Sequence, residues 1–597
     1  MSPPAARAIL RPATRYRWLA LVACLFSGLL YVNALDNPYI YDDFRTVLNN
    51  PSIEDVWEVR TIVYREMTRP IVNYSYALDR AIWGTPGVEH TSDLRLLVGL
   101  HLTNVLLHVL NVLLVFHLAR RLVEDQQAHR QDPVGAAVQG TIVAFVSAAT
   151  FGMHPMMTES VGYISGRAEV LCASFFLLAL LAARRWMRGD GRRWLAVGFG
   201  LWIAALLSKE IAATWPLVLL AYDRFVLRDD PAVARRRWRR VLAPLLGLTL
   251  VAGLGRVAVL VLIENPGGAT VFWRYALVEI EVIFRYFGLL LSPADQTIFH
   301  QVHEVRWPPE PTMVLACVWL VAWTGAAIKL RRLDGAVTLG MFWFVLLLLP
   351  SSVLVMLNLG EPMAEHRVYL AAVGFFLAIG ILVGHVWAFF GTRTARSRLL
   401  LRFSIAAWLT VMGGLTVLRN DVWSDPLHVW LEASERAPDI FVPHLMLGGI
   451  LQERGARDEA LVAYRRAVRL RPQEAAAHMK LGLCLAEMGR LAEARTAFET
   501  VLRLDPGSAV GHNGLGAVAT LAGRHDEARQ HYEQALSHHP ADVAARQSLA
   551  MLHETVWQNP GEAMRLCEEV RHIAPGTPGI DACIERNHAT ISGAAQP

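Results

Sequence analysis

Residues 438–472 read PDIFVPHLMLGGILQERGARDEALVAYRRAVRLRP, and residues 472–506 repeat the pattern as PQEAAAHMKLGLCLAEMGRLAEARTAFETVLRLDP. The register is 34 residues: Pro438, Pro472, Pro506 and Pro540 share it, as do Gly448, Gly482 and Gly516. Gly455, Gly489 and Gly523 keep the same step, and so do Ala460, Ala494 and Ala528. The aromatics Tyr464, Phe498 and Tyr532 complete it. Small residues where helices cross, a large ring to fill the crossing and a proline to stop the second helix define a helix-pair repeat. A half-unit at 426–438 precedes these repeats, and a degenerate fourth unit follows, marked by Ala550, Ala563 and Pro575.

Such a unit cannot bury its apolar face alone. Stacked on its neighbours it makes a curved tetratricopeptide-type α-solenoid with a concave groove suited to a peptide or protein. What precedes it is different in kind. The 597-residue, 66.4 kDa chain is 54% hydrophobic and only 18% charged, with mean hydropathy +0.33. Soluble proteins average about 25% charged, so the composition excludes a disordered chain and an ordinary soluble enzyme. From Arg419 onward there are 18 basic and 23 acidic residues, against 39 and 29 before it. With no basic face gathered in the soluble part, nucleic acid is excluded as a partner. Cys24, Cys172 and Cys317 lie in apolar runs; a Cys567–Cys583 disulfide is expected if the tail meets an oxidising compartment.

A spanning helix needs roughly 20 apolar residues. Eleven stretches qualify: 18–35, 96–118, 137–153, 168–187, 194–208, 211–227, 241–263, 312–328, 337–357, 367–390 and 400–418. The arginines at 7–17, 120/121, 184–193, 235–240, 331/332 and 393–398 mark alternate ends as cytoplasmic, following the positive-inside rule. Segment 276–291 carries Glu279, Glu281 and Arg285, and is read as an interfacial or re-entrant element. The expected fold is all-α: a short cytoplasmic N-terminus (1–17), a polytopic transmembrane bundle of about 11 spans (18–420) and the repeat solenoid (421–597). The loops 36–95, 154–167, 264–311 and 358–366, and the tail, then lie outside. We expect a bacterial cytoplasmic membrane with a periplasmic tail, or an endoplasmic reticulum membrane in a eukaryote.

Polar residues gather at those outer corners. Loop 36–95 has Asp42-Asp43, Asn50-Pro51 and Arg69-Pro70; helix 96–118 has the stripe His101, Asn104, His108, Asn111. Further corners read His154-Pro-Met-Met-Thr-Glu159, Gly166-Arg167-Ala-Glu169, Lys209-Glu210, and Glu361 with Glu365-His366-Arg367-Val-Tyr369-Leu370. Ionisable groups at membrane depth are costly and point to function. Paired carboxylates just after a spanning helix suit general-base work beside a lipid headgroup. The same aspartates also serve as caps and turns, and a His/Asn stripe commonly makes interhelical hydrogen bonds.

These motifs, from about residue 16 to 420 and on into the repeats, resemble the transmembrane and tetratricopeptide-repeat O-mannosyltransferases, a branch of the GT-C glycosyltransferases. The resemblance implies an inverting enzyme that moves a sugar, mannose or a similar hexose, from a polyprenyl-phosphate carrier to a Ser or Thr hydroxyl. It implies Asp42 as base, with Asp43 its close rival. The leaving phosphate needs cations, and arginine binds it bidentately; Arg69, Arg167 and Arg367 are the candidates. Glu159, His101, His108, His154, Glu169, Lys209, Glu365 and His366 are expected in support. His366 is a departure, since it separates Glu365 from Arg367. The lipid-linked sugar is the donor substrate, and no cofactor or metal is expected: there is no DxD, GxGxxG, Walker or Cys/His metal spacing. Expected partners are the carrier lipid, membrane lipids and an acceptor protein or peptide in the repeat groove. Alternative readings are a glycan or lipid acceptor, a non-catalytic repeat scaffold, or a transporter.

Overall fold

In the computed structural model, the described residues are 3–594 apart from 87, 89–91, 128–132, 265–272, 303–308, 357–360 and 391–393, and every element among them is helical. Arg393 and parts of the expected outer loops 264–311 and 358–366 lie outside the described residues. Two compact units result, Met1–Val429 and Trp430–Pro597. The division falls inside the helix Pro426–Arg436, shortly after the last apolar helix ends at Trp423.

In the first unit, seven helices among the described residues are long and apolar enough to cross a membrane: Tyr16–Ala34, Leu94–Gln127, Ile164–Met187, Pro231–Ile263, Pro311–Leu333, Glu365–Phe390 and Ala395–Trp423. Ala137–Met153 and Pro155–Val161, bent by 59° at their junction, make an eighth if taken as one span. By length and hydropathy, then, at most eight of the eleven expected stretches qualify as spans among the described residues. Arg193–Leu206 and Gly335–Pro350 are apolar but short. The stretch 211–227 is broken into a 3-10 turn Glu210–Thr214, a helix Trp215–Ala221 and a wide turn Tyr222–Leu227. An apolar run shows that a segment is buried, not that it stays one helix. Segment 276–291 is part of a continuous 19-residue helix, Trp273–Leu291, packed on Pro311–Leu333 and Gly335–Met356.

The helix Tyr369–Phe390 is the axle of this unit, with residues 369–377 all buried. Glycine permits its close crossings. A Cβ on Gly374 would stand 2.7 Å from the Gly340 carbonyl, and one on Gly380 would stand 3.0 Å from the Val143 carbonyl. Small residues at crossings let helix backbones approach in lipid, where packing drives association. The axle fixes the residues at its N-terminal end, His366 and Arg367.

The second unit shows why its sequence repeats. Its helix pairs are Phe441–Glu453 with Arg457–Leu470, Ala475–Glu487 with Leu491–Leu504, and Ala509–Leu521 with His525–His538. A Cβ on Gly448 would come within 2.6 Å of the Tyr464 ring; Gly482 meets Phe498 at 2.9 Å and Gly516 meets Tyr532 at 2.6 Å. The ring at one repeat position thus dictates glycine at the other. The degenerate fourth unit forms a full pair, Val543–Thr555 with Pro560–Ile573. Cys567 and Cys583 are joined in a disulfide, tying the last helix, Ile580–Ala594, to this pair. A cross-link closing a loop of about 15 residues stabilises by about 3 kcal/mol in the chain-entropy model. Cys583→Ser should therefore expose the last helix to limited proteolysis while 441–555 stays protected. Equal protection of the last helix in both chains would remove the disulfide's stabilising role.

Candidate active site

The corners singled out in the sequence converge at one end of the first unit. They enclose a cavity of about 250 Å³ whose charged lining comprises Asp42, Arg69, Glu159, Glu169, Lys209, Glu210, Glu361 and Arg367. Tyr41, Tyr163, Phe299 and His366 also face it.

Asp42 and Asp43 are neighbours with opposite surroundings. The Asp43 carboxylate is buried: Oδ1 accepts from the Ser165 N–H at 2.8 Å and hydroxyl at 2.6 Å, and Oδ2 accepts from the Ile40 N–H at 3.1 Å. It fastens the loop. Asp42 is exposed to the cavity, and among the described residues nothing bonds to its carboxylate. Its main chain is held instead: its N–H donates to the Tyr163 hydroxyl at 2.9 Å, and its carbonyl accepts from Thr46 Oγ1 at 2.9 Å. Tyr41, just before it, has φ +49°, a left-handed conformation that costs a non-glycine residue about 1–3 kcal/mol and clusters at functional sites. The Tyr41 ring meets Phe299 edge-on, with centroids 5.7 Å apart. The carboxylate faces the cavity while the backbone beneath it is fixed.

Burial pushes the Asp43 carboxyl up to about 7, against the opposing hydrogen bonds from Ser165 and Ile40. Its unfolded value is about 3.9. A group raised in this way adds stability at low pH that is lost as pH rises through about 7. Asp43→Asn should flatten the fall in melting temperature across that window. An unchanged slope would show that Asp43 does not titrate there. Burial likewise raises Glu361 to about 7, with Arg367 opposing and the Glu159 and Asp42 charges reinforcing it.

The three arginines separate clearly. Arg167 is fully buried: Nε donates to Asn104 Oδ1 at 2.8 Å, Nη1 to Asp79 at 2.5 Å and Nη2 to the Leu100 carbonyl at 2.6 Å. Its guanidinium lies 4.6 Å over the Tyr76 ring, and it does not line the cavity. Through Asp79 it clamps the helix Pro70–Trp83 to the bundle. Arg69 lines the cavity with Nη2 3.2 Å from Glu210. Arg367 is half-buried, donates Nη1 to the Glu361 carbonyl at 2.6 Å, and has no carboxylate partner among the described residues. It is the cation with most binding capacity left.

The remaining expected residues divide between lining and scaffold. His366 Nδ1 is hydrogen-bonded to Glu159 Oε1 at 2.6 Å, so the intervening histidine turns toward the cavity. Lys209 is ion-paired with Glu169, both lining the cavity. Glu365 points elsewhere: it accepts from the Thr297 N–H at 2.6 Å and Gln296 at 2.8 Å, and contacts His300 at 3.1 Å. It thereby anchors the loop that carries Phe299. His101 bonds the Asn37 carbonyl at 3.0 Å, His108 bonds the Tyr369 hydroxyl at 2.7 Å, and His154 bonds the Leu290 carbonyl at 3.2 Å. These three do not line the cavity; they join chain segments. Sequence reasoning missed Tyr41, Tyr163 and Phe299. Tyr163 carried one faint signal, its place in the Gly162–Ser165 stretch directly before Gly166-Arg167.

A helical membrane unit with a charged cavity at one end, followed by a repeat solenoid, is the class these features define. The family model for the tetratricopeptide repeat matches residues 445–509 and 514–578. The chain is a distant homologue of the transmembrane and tetratricopeptide-repeat protein O-mannosyl-transferases. It is 28% identical over 561 residues to protein O-mannosyl-transferase Tmtc1 of Drosophila melanogaster, covering 75% of this chain and 61% of that one. Against TMTC1 of Homo sapiens the identity is 22% over 542 residues, covering 78% and 56%. Tmtc3 of Drosophila melanogaster matches at 25% over 533 residues, covering 76% and 55%. The chain thus spans about six-tenths of the length of these curated relatives.

Proposed function

We propose that this chain is an inverting glycosyltransferase that takes a hexose, mannose first, from a polyprenyl-phosphate carrier and passes it to a Ser or Thr hydroxyl of a protein. The observation that carries this is the unbonded Asp42 carboxylate facing a cavity that also presents Arg367 and Arg69. In this reading the acceptor hydroxyl attacks the anomeric carbon from the side of Asp42. Asp42 takes the hydroxyl proton as the new C–O bond forms, and the sugar–phosphate bond breaks with its electrons passing to phosphate. The leaving group is already a weak base, so cations suffice in place of a general acid. Arg367, with Arg69 and Lys209 behind it, holds the growing charge through charge-assisted hydrogen bonds. Homology to the O-mannosyl-transferases supports the substrate class, and the alternating arginine clusters support an outward-facing cavity. We assign acceptor capture to the repeat unit.

The test is transfer of radiolabelled mannose from a synthetic mannosyl polyprenyl phosphate to protein by the full chain purified in detergent. Label in acid-precipitable protein, released by β-elimination, is the expected result. Label confined to lipid or free glycan would move the acceptor to another class. No transfer from mannosyl, glucosyl or galactosyl donors would remove the enzyme reading.

A further inference from the structure

A second hollow, of about 650 Å³, lies at the other end of the same helices. Its position follows from helix direction. The cavity residue Glu159 comes after the C-terminus of the helix Pro133–Met153, and Arg367 comes before the N-terminus of Tyr369–Phe390. The hollow uses Pro133–Met153 from Ala137 in its second turn to Val146 just past its middle, and the last turn of Tyr369–Phe390 (Trp387). Leu19, Ile405 and Leu409 complete the apolar wall. Its volume is that of a ligand site, in the range of about 300–1,000 Å³.

The polarity of this groove is graded along one helix. On Ala395–Trp423 the lining residues are Arg398, Arg402, Ile405, Ala406 and Leu409; steps of three and four from Arg398 through Arg402 to Ile405 or Ala406 and on to Leu409 put them on one face. At about 1.5 Å rise per residue, Arg398 to Leu409 covers roughly 16 Å. One leaflet's hydrocarbon is about half of 30 Å. The stripe therefore passes from cation to hydrocarbon over the depth of a single leaflet. The Arg402 guanidinium sits 5.8 Å over the Trp387 ring, an aromatic and an arginine paired as at a membrane–water interface. Among the described lining residues none is acidic. Thr141, a polar residue in the wall, donates its hydroxyl to the Ala137 carbonyl at 2.8 Å.

We propose that this groove binds an anionic phospholipid, its phosphate on Arg398 and Arg402 and its acyl chains along Ile142, Phe145, Ile405 and Leu409. The site lies in the leaflet opposite the sugar-transfer cavity and does not depend on the transferase reading. Charge complementarity selects the occupant: basic pockets between spanning helices favour anionic headgroups, and each arginine contributes a several-fold preference.

The test uses full-length protein in a mild detergent with equimolar dioleoyl phosphatidylglycerol and phosphatidylcholine, followed by native mass spectrometry. Wild type should retain phosphatidylglycerol over phosphatidylcholine by about tenfold or more. The double variant Arg398→Gln/Arg402→Gln should bring the ratio close to one, and Arg398→Lys/Arg402→Lys should keep most of the preference. Ala406 is an exposed residue in the groove wall, so Ala406→Trp should fill the groove and release both lipids while the protein stays monodisperse with an unchanged melting temperature. If the glutamine pair does not fold, the lysine pair and Ala406→Trp carry the test. An unchanged ratio in the glutamine pair, or wild-type lipid retention by Ala406→Trp, overturns the proposal. So does displacement of phosphatidylglycerol by an equimolar polyprenyl phosphate, which would make this a carrier-lipid site.

Discussion

Asp42→Asn is expected to insert, purify and melt like wild type and to lose about 10²–10⁴-fold in sugar transfer, the usual effect of removing a general base. The side chain bonds nothing that folding needs, because Tyr163 and Thr46 hold the residue through its N–H and carbonyl. Asparagine keeps the shape and one oxygen but cannot take the acceptor's proton. Binding of a non-transferable polyprenyl-phosphate sugar should be retained, since the phosphate cations are untouched. Two outcomes would count against the assignment. If Asp42→Asn turns over normally while Asp43→Asn does not, the base is Asp43 and its hydrogen bonds to Ser165 must open during turnover. If both turn over normally, this loop is structural and the catalytic reading loses its main support.

Arg367→Lys is expected to lose about 10²-fold in turnover, the scale on which removal of a preorganised charge-stabilising donor is felt. Lysine keeps the charge but has neither the planar fork nor the reach to hold the Glu361 carbonyl and a phosphate together,. Donor affinity should fall as well, which separates this variant from Asp42→Asn. Arg167→Ala is the contrasting case. It strips Asp79 of its buried partner, a change that typically costs about 3–5 kcal/mol. It should therefore be seen as a lowered melting temperature or lost expression, with any surviving protein binding donor normally. Full turnover by Arg367→Lys would transfer the phosphate role to Arg69 or Lys209.

The solenoid was legible because its constraint is local and repeated: a ring at 464, 498 or 532 needs a glycine 16 residues earlier, three times over. The membrane unit was legible as apolar runs but not as spans. A run such as 211–227 reads the same whether it is one helix or three broken pieces, because burial of all faces erases periodicity. At the site, sequence placed the corners that meet, since charges at membrane depth are rare enough to stand out. It could not say which way each side chain turns. Arg167 and Arg367 look alike as arginines in conspicuous motifs, yet one is enclosed by Asp79, Asn104 and Leu100 while the other faces the cavity. Likewise Glu365 and His366 are adjacent but point to different partners, because a tight turn splits neighbouring residues between two surroundings.

The cavity draws its wall from Tyr41 at one extreme and Arg367 at the other, and that span has a kinetic meaning. At about 5–20 residues per second of synthesis, Asp42 leaves the ribosome roughly tens of seconds before Arg367 exists. Throughout that interval the cavity lacks Arg367, and the axle helix that follows it has yet to be inserted. A nascent or truncated chain ending before Arg367 holds Asp42, Arg69 and Lys209 but not the full lining of the cavity. The cavity therefore closes late and all at once, when the segment that carries Glu361, His366 and Arg367 is in place.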